Sequence, residues 1–293
     1  MHSRQGDETH TVENERAQVT LDRLAHETLA ILDRGWYETA AGRVSVADAQ
    51  QHAVGGTVLY RPADLAELAC RKHPPTHRAA TRYSVTQETT QEAACRLVAD
   101  AGVRDLALLN FASARKVGGG FLWGARAQEE DIARSSGLVR CLETQPEYYQ
   151  QNQAMSSYLY TDNIIYSPSV PWFRSSNGHL LDEPFLASII SAPAPNAREY
   201  RKQGAGAPRL LRETLNRRAA YILEVAISNE NRSLLLGAWG CGVFGNAPQD
   251  VAVAFISHLR SRRFRGCFEH VVFAVFDQTE TQETYAAFRS RIK

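Results

Sequence analysis

Two adjacent carboxylates, Glu129 and Glu130, stand beside the amide of Gln128, seven residues beyond three consecutive glycines, Gly118, Gly119 and Gly120. Carboxyl groups so placed can exchange protons with a substrate as general acid and base. Backbone without a Cβ reaches positive φ and can approach a ligand closely. Upstream, the apolar run from Asp105 to Asn110 predicts a buried strand that feeds the glycine loop. Strand, glycine loop and helix start thus put an acid/base pair beside a surface suited to a polar, phosphorylated ligand. The competing reading is a solvated helix N-terminus, where carboxylates are favoured by the macrodipole. That position lowers a carboxyl pKa, whereas a general acid needs it raised, so burial has to push it back up. Neighbouring helix positions also project differently. This argues against the paired acid-and-nucleophile layout of ordinary glycosidases and for one carboxylate acting as acid and then as base.

A second glycine-rich turn runs through Gly237, Trp239, Gly240, Cys241, Gly242, Val243, Phe244 and Gly245. It is expected to join a strand at 233–237 to a helix beginning near Gln249, with Asn246 and Gln249 in a capping-box pattern and Pro248 in the first turn. Exposed amides at a helix start, with glycines allowing close approach, form an anion site; the alternative is a tight turn whose glycines serve packing alone. The chain has neither a Gly-Lys-Ser/Thr phosphate loop nor a dinucleotide-binding Gly-x-Gly-x-x-Gly with its ribose-binding acid. Cys241 lies where a nucleophile elbow would place one, but Trp239 replaces the elbow's first glycine, and a small loop residue is the better reading.

The ordered set of Asn110-Phe-Ala-Ser-Ala114, the triple glycine, Gln128-Glu-Glu130 and Gly237–Gly245 resembles the poly(ADP-ribose) glycohydrolases, specifically their shorter, bacterial-type form, over residues 80–293. The resemblance implies a macrodomain, a three-layer α/β/α sandwich around a mixed sheet, here preceded by a helical N-terminal extension. It implies hydrolysis of ribose–ribose bonds in poly(ADP-ribose), mainly from the chain end with release of ADP-ribose, without metal or other cofactor. It further implies roles: Glu130 as acid and base, Glu129 on the ribose hydroxyls, Gln128 in support of the pair, and Asn110 on the distal ribose. The loops Gly118–Gly120 and Gly240–Gly245 would hold the diphosphate, and Phe244 would press on the terminal ribose. Phe276, ending the last expected strand, is either core or the aromatic that stacks on adenine. Related outcomes are removal of single ADP-ribose units from proteins, or binding of ADP-ribose without catalysis. A reader of the modification does not need two carboxylates beside the ribose.

The elements that must position these residues alternate. Strands are predicted at 57–60, 82–86, 106–109, 162–166, 186–190, 233–237 and 271–276. Helices are predicted from residue 12 to near Gly35, and at 44–51, 90–99, 125–142, 209–229, 249–262 and 279–292. Long loops are expected at 167–183 and 191–208, and residues 1–12 are polar. The proline-broken segment Lys72–His77 marks an expected boundary between residues 1–78, a tail and mainly helical accessory region, and a catalytic domain at 79–293.

At 293 residues, with 44% hydrophobic and 22% charged residues, the composition is that of a globular protein. A net charge of +1 excludes a strongly basic nucleic-acid binder, so direct DNA binding is not expected. Apolar runs such as Val271–Phe276 are too short to span a bilayer. Five cysteines suit reduced thiols and a cytoplasmic protein, and the N-terminus lacks a signal peptide's apolar core. The expected partners are poly(ADP-ribose), ADP-ribose and ADP-ribosylated proteins, in the response to DNA damage. Cys70, His73 and His77 have zinc-like spacing but no second cluster, which favours a surface loop. The basic run Arg260–Arg265 reads as a solvated helix end rather than a polyanion track.

Overall fold

A computed structural model describes residues 21–72, 80–204 and 208–292. After helix α1 (residues 21–34) comes a hairpin of β1 (Trp36–Thr39) and β2 (Gly42–Ser45), then α2 (Ala47–Gly55), β3 (Val58–Tyr60) and α3 (Pro62–Cys70). Next are β4 (Arg82–Thr86), α4 (Thr90–Cys95) running into a π-helical turn (Arg96–Asp100), β5 (Leu106–Phe111), α5 (Gln128–Ser135), α6 (Leu138–Glu143) and α7 (Pro146–Ala154). The chain closes with β6 (Ile164–Arg174), β7 (Leu180–Ala192), α8 (Ala197–Lys202), α9 (Pro208–Ser228), β8 (Ser233–Gly237), α10 (Pro248–Leu259), β9 (His270–Ala274) and α11 (Glu283–Arg289).

Seven strands form one mixed sheet in the order β3-β6-β7-β5-β8-β9-β4. The run from β7 to β4 is parallel, and β6 and β3 are antiparallel additions at one edge. Period-two alternation sends Ala107, Leu109, Leu234, Leu236, Val271 and Phe273 to a core shared with α3, α9, α10 and α11. The intervening Leu106, Leu108, Leu235 and Val272 meet α2, α4, α5, α6 and α7 on the other face. This is the expected α/β/α sandwich, and its central strands are apolar on both faces because both are covered.

The N-terminal segment adds three short strands to its helices. Residues 36–45 form a hairpin that takes in Val44, and β3 pairs with β6 inside the main sheet. Leu65 and Leu68 of α3 belong to the main core. Packing is therefore continuous across the boundary expected near residue 78. The polar stretch 1–12, the start of the first predicted helix and His73–His77 lie outside the described residues.

Three further expectations are corrected. Residues 167–183 are not a loop but most of the β6–β7 hairpin. Register shifts at Ser167/Val170 and Trp172/Arg174, with Ser169 at φ 45°, interrupt the alternation that marks a strand. The 191–208 stretch contains the short helix α8. The single helix expected at 125–142 is two, because Ser136 is extended (φ −144°, ψ 174°) and bridges to Trp172.

Helix α1 bears directly on the site. Its Ala25 packs with Phe121, Ala133 and Val139, while Thr28 Oγ1 donates to the Arg134 carbonyl at 2.5 Å and Glu27 pairs with Arg174 at 3.1 Å. The N-terminal helix thus buttresses the turn and helix that carry the carboxylates.

Candidate active site

A cleft of about 890 Å³ opens at the C-terminal ends of the parallel strands, between residues following β4, β5, β8 and β9. That is where ligands bind in open α/β sheets.

The glycine turn builds its floor. Gly118 and Gly119 both have φ +61°, a conformation that L side chains avoid. At Gly119 a Cβ would collide with Glu130 Oε1 and lie 3.1 Å from Glu129 Oε2. Adjacent helix residues project roughly 100° apart, yet both carboxyl groups reach this one glycine. Gly120 N–H donates to Glu130 Oε1 at 2.9 Å, which fixes the more accessible carboxylate against the turn.

Glu129 is 3% exposed. Its Oε2 accepts from Ser113 N–H at 2.7 Å and its Oε1 from Asn110 Nδ2 at 3.2 Å. Burial nevertheless pushes its pKa from 4.5 to about 8; the two hydrogen bonds lower it less than desolvation raises it, and the Glu130 charge adds to the rise. The sequence-based concern was that a helix start would leave the pair too acidic, and at Glu129 desolvation outweighs the macrodipole.

Gln128 is spent on the scaffold. Its Oε1 accepts from Phe111 N–H at 2.8 Å, and its Nε2 donates to the Leu109 carbonyl at 2.7 Å and Thr90 Oγ1 at 3.2 Å. It therefore pins the first turn of α5 to the end of β5, which sets where the next two side chains point. Asn110 is fully buried behind Glu129 and donates to it and to Ser191 Oγ at 3.0 Å; it does not line the cleft. Gly118 is packed against Phe121 and does not line it either. Asn110 holds Glu129 from behind, and Gly118 shapes the turn.

Gly240, Cys241, Gly242, Val243 and Phe244 line the opposite wall, and Gly245 lies just outside it. Trp239, fully buried, donates from Nε1 to the Ala192 carbonyl at 3.0 Å. Asn246 is not the expected cap of α10. Its Nδ2 donates to the Pro195 and Gly240 carbonyls at 2.8 and 3.0 Å and straps the loop to the end of β7, while Ala247 takes the cap position and Pro248 opens the helix as predicted. The loop's own hydrogen bonds engage the N–H groups of Cys241, Gly245 and Asn246 and leave those of Gly242, Val243 and Phe244 unused among the described residues. Three such amides in one glycine-rich turn suit an anion. The Phe244 ring leans on Tyr160, 6.2 Å between centroids, and Arg198 N–H donates to the Phe244 carbonyl at 2.9 Å.

Burial pushes the Cys241 thiol up to about 12, so it is no thiolate nucleophile at neutral pH. Phe276 is 53% exposed and lines the cleft, which removes the core reading. Cys70 is exposed, and no group of three or more metal-ligating side chains occurs among the described residues. The basic run 260–265 lies between α10 and β9, at the opposite end of the parallel strands, with Arg263 paired to buried Glu224.

Sequence reasoning missed Ser113, whose amide holds Glu129, and the segment Glu88–Gln91, which forms a cleft wall after β4. It also missed Asp277, which lines the cleft and accepts from the Thr284 and Tyr285 amides at 2.9 and 3.2 Å, tying α11 to the site. Ser113 sits between Asn110 and the glycines, where its position was the available signal. Asp277 carried none, since a lone Asp after a strand is common in turns.

The model of the family described as "Microbial-type PARG, catalytic domain" matches residues 25–175. Among solved structures, the poly(ADP-ribose) glycohydrolase (PARG) of Thermomonospora curvata is 44% identical, with TM-score 0.88 over 93% of this chain and 99% of that one. The same enzyme bound to the inhibitor ADP-HPD matches at 43% identity and TM-score 0.85, with the same coverage of both chains. The Deinococcus radiodurans PARG in complex with ADP-ribose is 42% identical, with TM-score 0.76 over 85% of this chain and 99% of that one. No curated protein matches the chain.

Proposed function

The chain belongs to the microbial-type poly(ADP-ribose) glycohydrolase family and is a glycoside hydrolase acting on poly(ADP-ribose), and from that premise we propose how its own residues divide the work. The observation that carries the assignment is the convergence of Glu129 and Glu130 on Gly119, with Glu130 held by Gly120 N–H. ADP-ribose, which the D. radiodurans enzyme was solved with, occupies the cleft of this chain with its distal ribose at that turn. Its diphosphate lies along the amides of Gly242, Val243 and Phe244, and its adenine lies against Phe276.

Glu130 donates its proton to the glycosidic oxygen as the C–O bond breaks. The ribose passes through an oxocarbenium-like state, and the carboxylate of Glu130 then takes a proton from the water that adds to it. Glu129 binds ribose hydroxyls, and Gln128 and Asn110 position the pair. The reaction needs no cofactor in this scheme. Phe244, leaning on Tyr160, covers the terminal ribose and favours release of ADP-ribose from the chain end. ADP-ribosylated proteins are the natural carriers of the polymer, and DNA is not a direct partner: the net charge is +1 and the basic run is remote from the cleft. No described helix is long and apolar enough to cross a membrane. Five thiols outside any disulfide suit the cytoplasm, where the protein would clear polymer made after DNA damage.

The test is hydrolysis of purified poly(ADP-ribose) by the wild type and by Glu130→Gln, with mono-ADP-ribosylated protein as a second substrate. A positioned acid–base group contributes on the order of 10²–10⁴ in rate, so the variant should lose that much and bind ADP-ribose within a few-fold of wild type. Near-normal turnover in the variant removes Glu130 from its role. Free oligomers early in the digest overturn end-wise action.

A further inference from the structure

The loop between the glycine turn and the carboxylates carries an aromatic that the reading above leaves without a role. Trp123 is 60% exposed, the most open of the large aromatics in the described chain. It ends a short 3₁₀ turn (Phe121–Trp123) whose closing residue, Gly124, has φ +71°. The neighbouring Phe121 is buried and anchors the turn against α1. Trp123 N–H donates to the Gly120 carbonyl at 3.0 Å, and Gly120 is the residue whose N–H holds Glu130. The indole is therefore one turn of chain from the reacting carboxylate. Lys116 Nζ lies 5.2 Å from the ring centroid, and Lys116 and Arg126 both line the cleft. No acidic residue occurs from Leu106 to Gln128.

We propose that Trp123, with Lys116 beside it, forms a subsite for the unit of the polymer that departs, the adenosine nucleotide whose ribose oxygen Glu130 protonates. The proposal rests on the poly(ADP-ribose) reading of the cleft and adds to it the recognition of the leaving group. That ribose carries an adenine directly, a flat base that departs with it and suits an exposed indole on the adjoining loop. Bases stack on exposed indoles without sequence preference, and a cation at the ring's side meets the attached phosphate. A nucleotide so held keeps its ribose oxygen aimed at Glu130 after the first contact, which shortens the search for a reactive geometry.

The experiment compares wild type, Trp123→Ala and Trp123→Phe on a purified dimer of ADP-ribose, alongside calorimetric binding of ADP-ribose itself. ADP-ribose fills the main cleft alone, whereas the dimer reaches both sites. By the strength of base–aromatic stacking, Trp123→Ala should lower kcat/KM on the dimer about ten-fold, chiefly through KM, and Trp123→Phe should recover most of it. Affinity for ADP-ribose should stay within about two-fold in all three proteins, because the main cleft is unaltered. An unchanged kcat/KM in Trp123→Ala overturns the subsite. So does an equal loss of affinity for ADP-ribose, which would place the ring in the main cleft or in the support of its loop. A wild-type protein that binds ADP-ribose but leaves the dimer intact would sink the hydrolase reading itself, a result distinct from either.

Discussion

Glu129 offers a test that needs no substrate. Its carboxyl is 3% exposed and its pKa is pushed from 4.5 to about 8, chiefly by desolvation. In the unfolded chain the same group ionises near its ordinary value. Between those two pH values the native protein therefore holds a proton that the unfolded chain has released, so stability falls as pH rises through that window. The contribution is complete below about pH 4.5 and lost above about pH 8. Each pKa unit corresponds to about 1.4 kcal/mol, so the loss is of the order of 5 kcal/mol at most. Glu129→Gln keeps the shape and the hydrogen bond from Ser113 but cannot ionise. Urea unfolding at several values from pH 5 to 9 should show the wild type losing stability relative to the variant, with the gap closing toward acid. Parallel pH profiles for the two proteins would refute the argument and show Glu129 to be ionised in the native state at neutral pH.

Two further outcomes follow from the loops. Gly119→Ala places a methyl against both carboxyls at φ +61°. Left-handed strain of about 1–2 kcal/mol should lower the melting temperature by a few degrees, and the displaced Glu130 should reduce kcat about 100-fold or more; wild-type turnover would mean the carboxylates do not work from this turn. Phe244→Ala removes the ring that leans on Tyr160, and misplacing the ribose should lower turnover by about 10²-fold while ADP-ribose affinity falls much less. Titration calorimetry beside steady-state rates decides this, and an unchanged kcat with greatly weakened binding would reassign Phe244 to affinity.

The central strands were legible because they are buried on both faces: Leu106–Leu109 and Leu234–Gly237 are unbroken apolar runs that no helix period explains. The glycine turns were legible because positive φ and close approach leave few alternatives to glycine. What escaped was set by distant partners. The β6–β7 hairpin contains Pro168, Pro171 and bulged Ser169, local signals of a loop that pairing with β7 overrides. The break between α5 and α6 answers to the Ser136–Trp172 bridge and to Gln50, which packs where a Cβ on Gly137 would stand. Within the site, the residue types of Asn110 and Gln128 pointed to polar work but not to its object. Their amide N–H groups go to Glu129, Ser191, Thr90 and the end of β5, and only the folded sheet brings those groups together.

The position of β4 at the sheet's edge has a consequence for how the protein is made. Its only strand partner among the described residues is β9, so a segment complete at Thr86 has nothing to pair with until Ala274 has been synthesised. At translation rates of about 5–20 residues per second, that wait lasts roughly ten to forty seconds. During it, β4 and the Glu88–Gln91 wall that follows are unsupported, and β8 presents an open parallel edge beside them. Nascent chains stalled before β9 would be dead as enzymes and adhesive as polypeptides. The cleft is therefore among the last features to exist, and the cell acquires the activity in one step when the ninth strand slots between the eighth and the fourth.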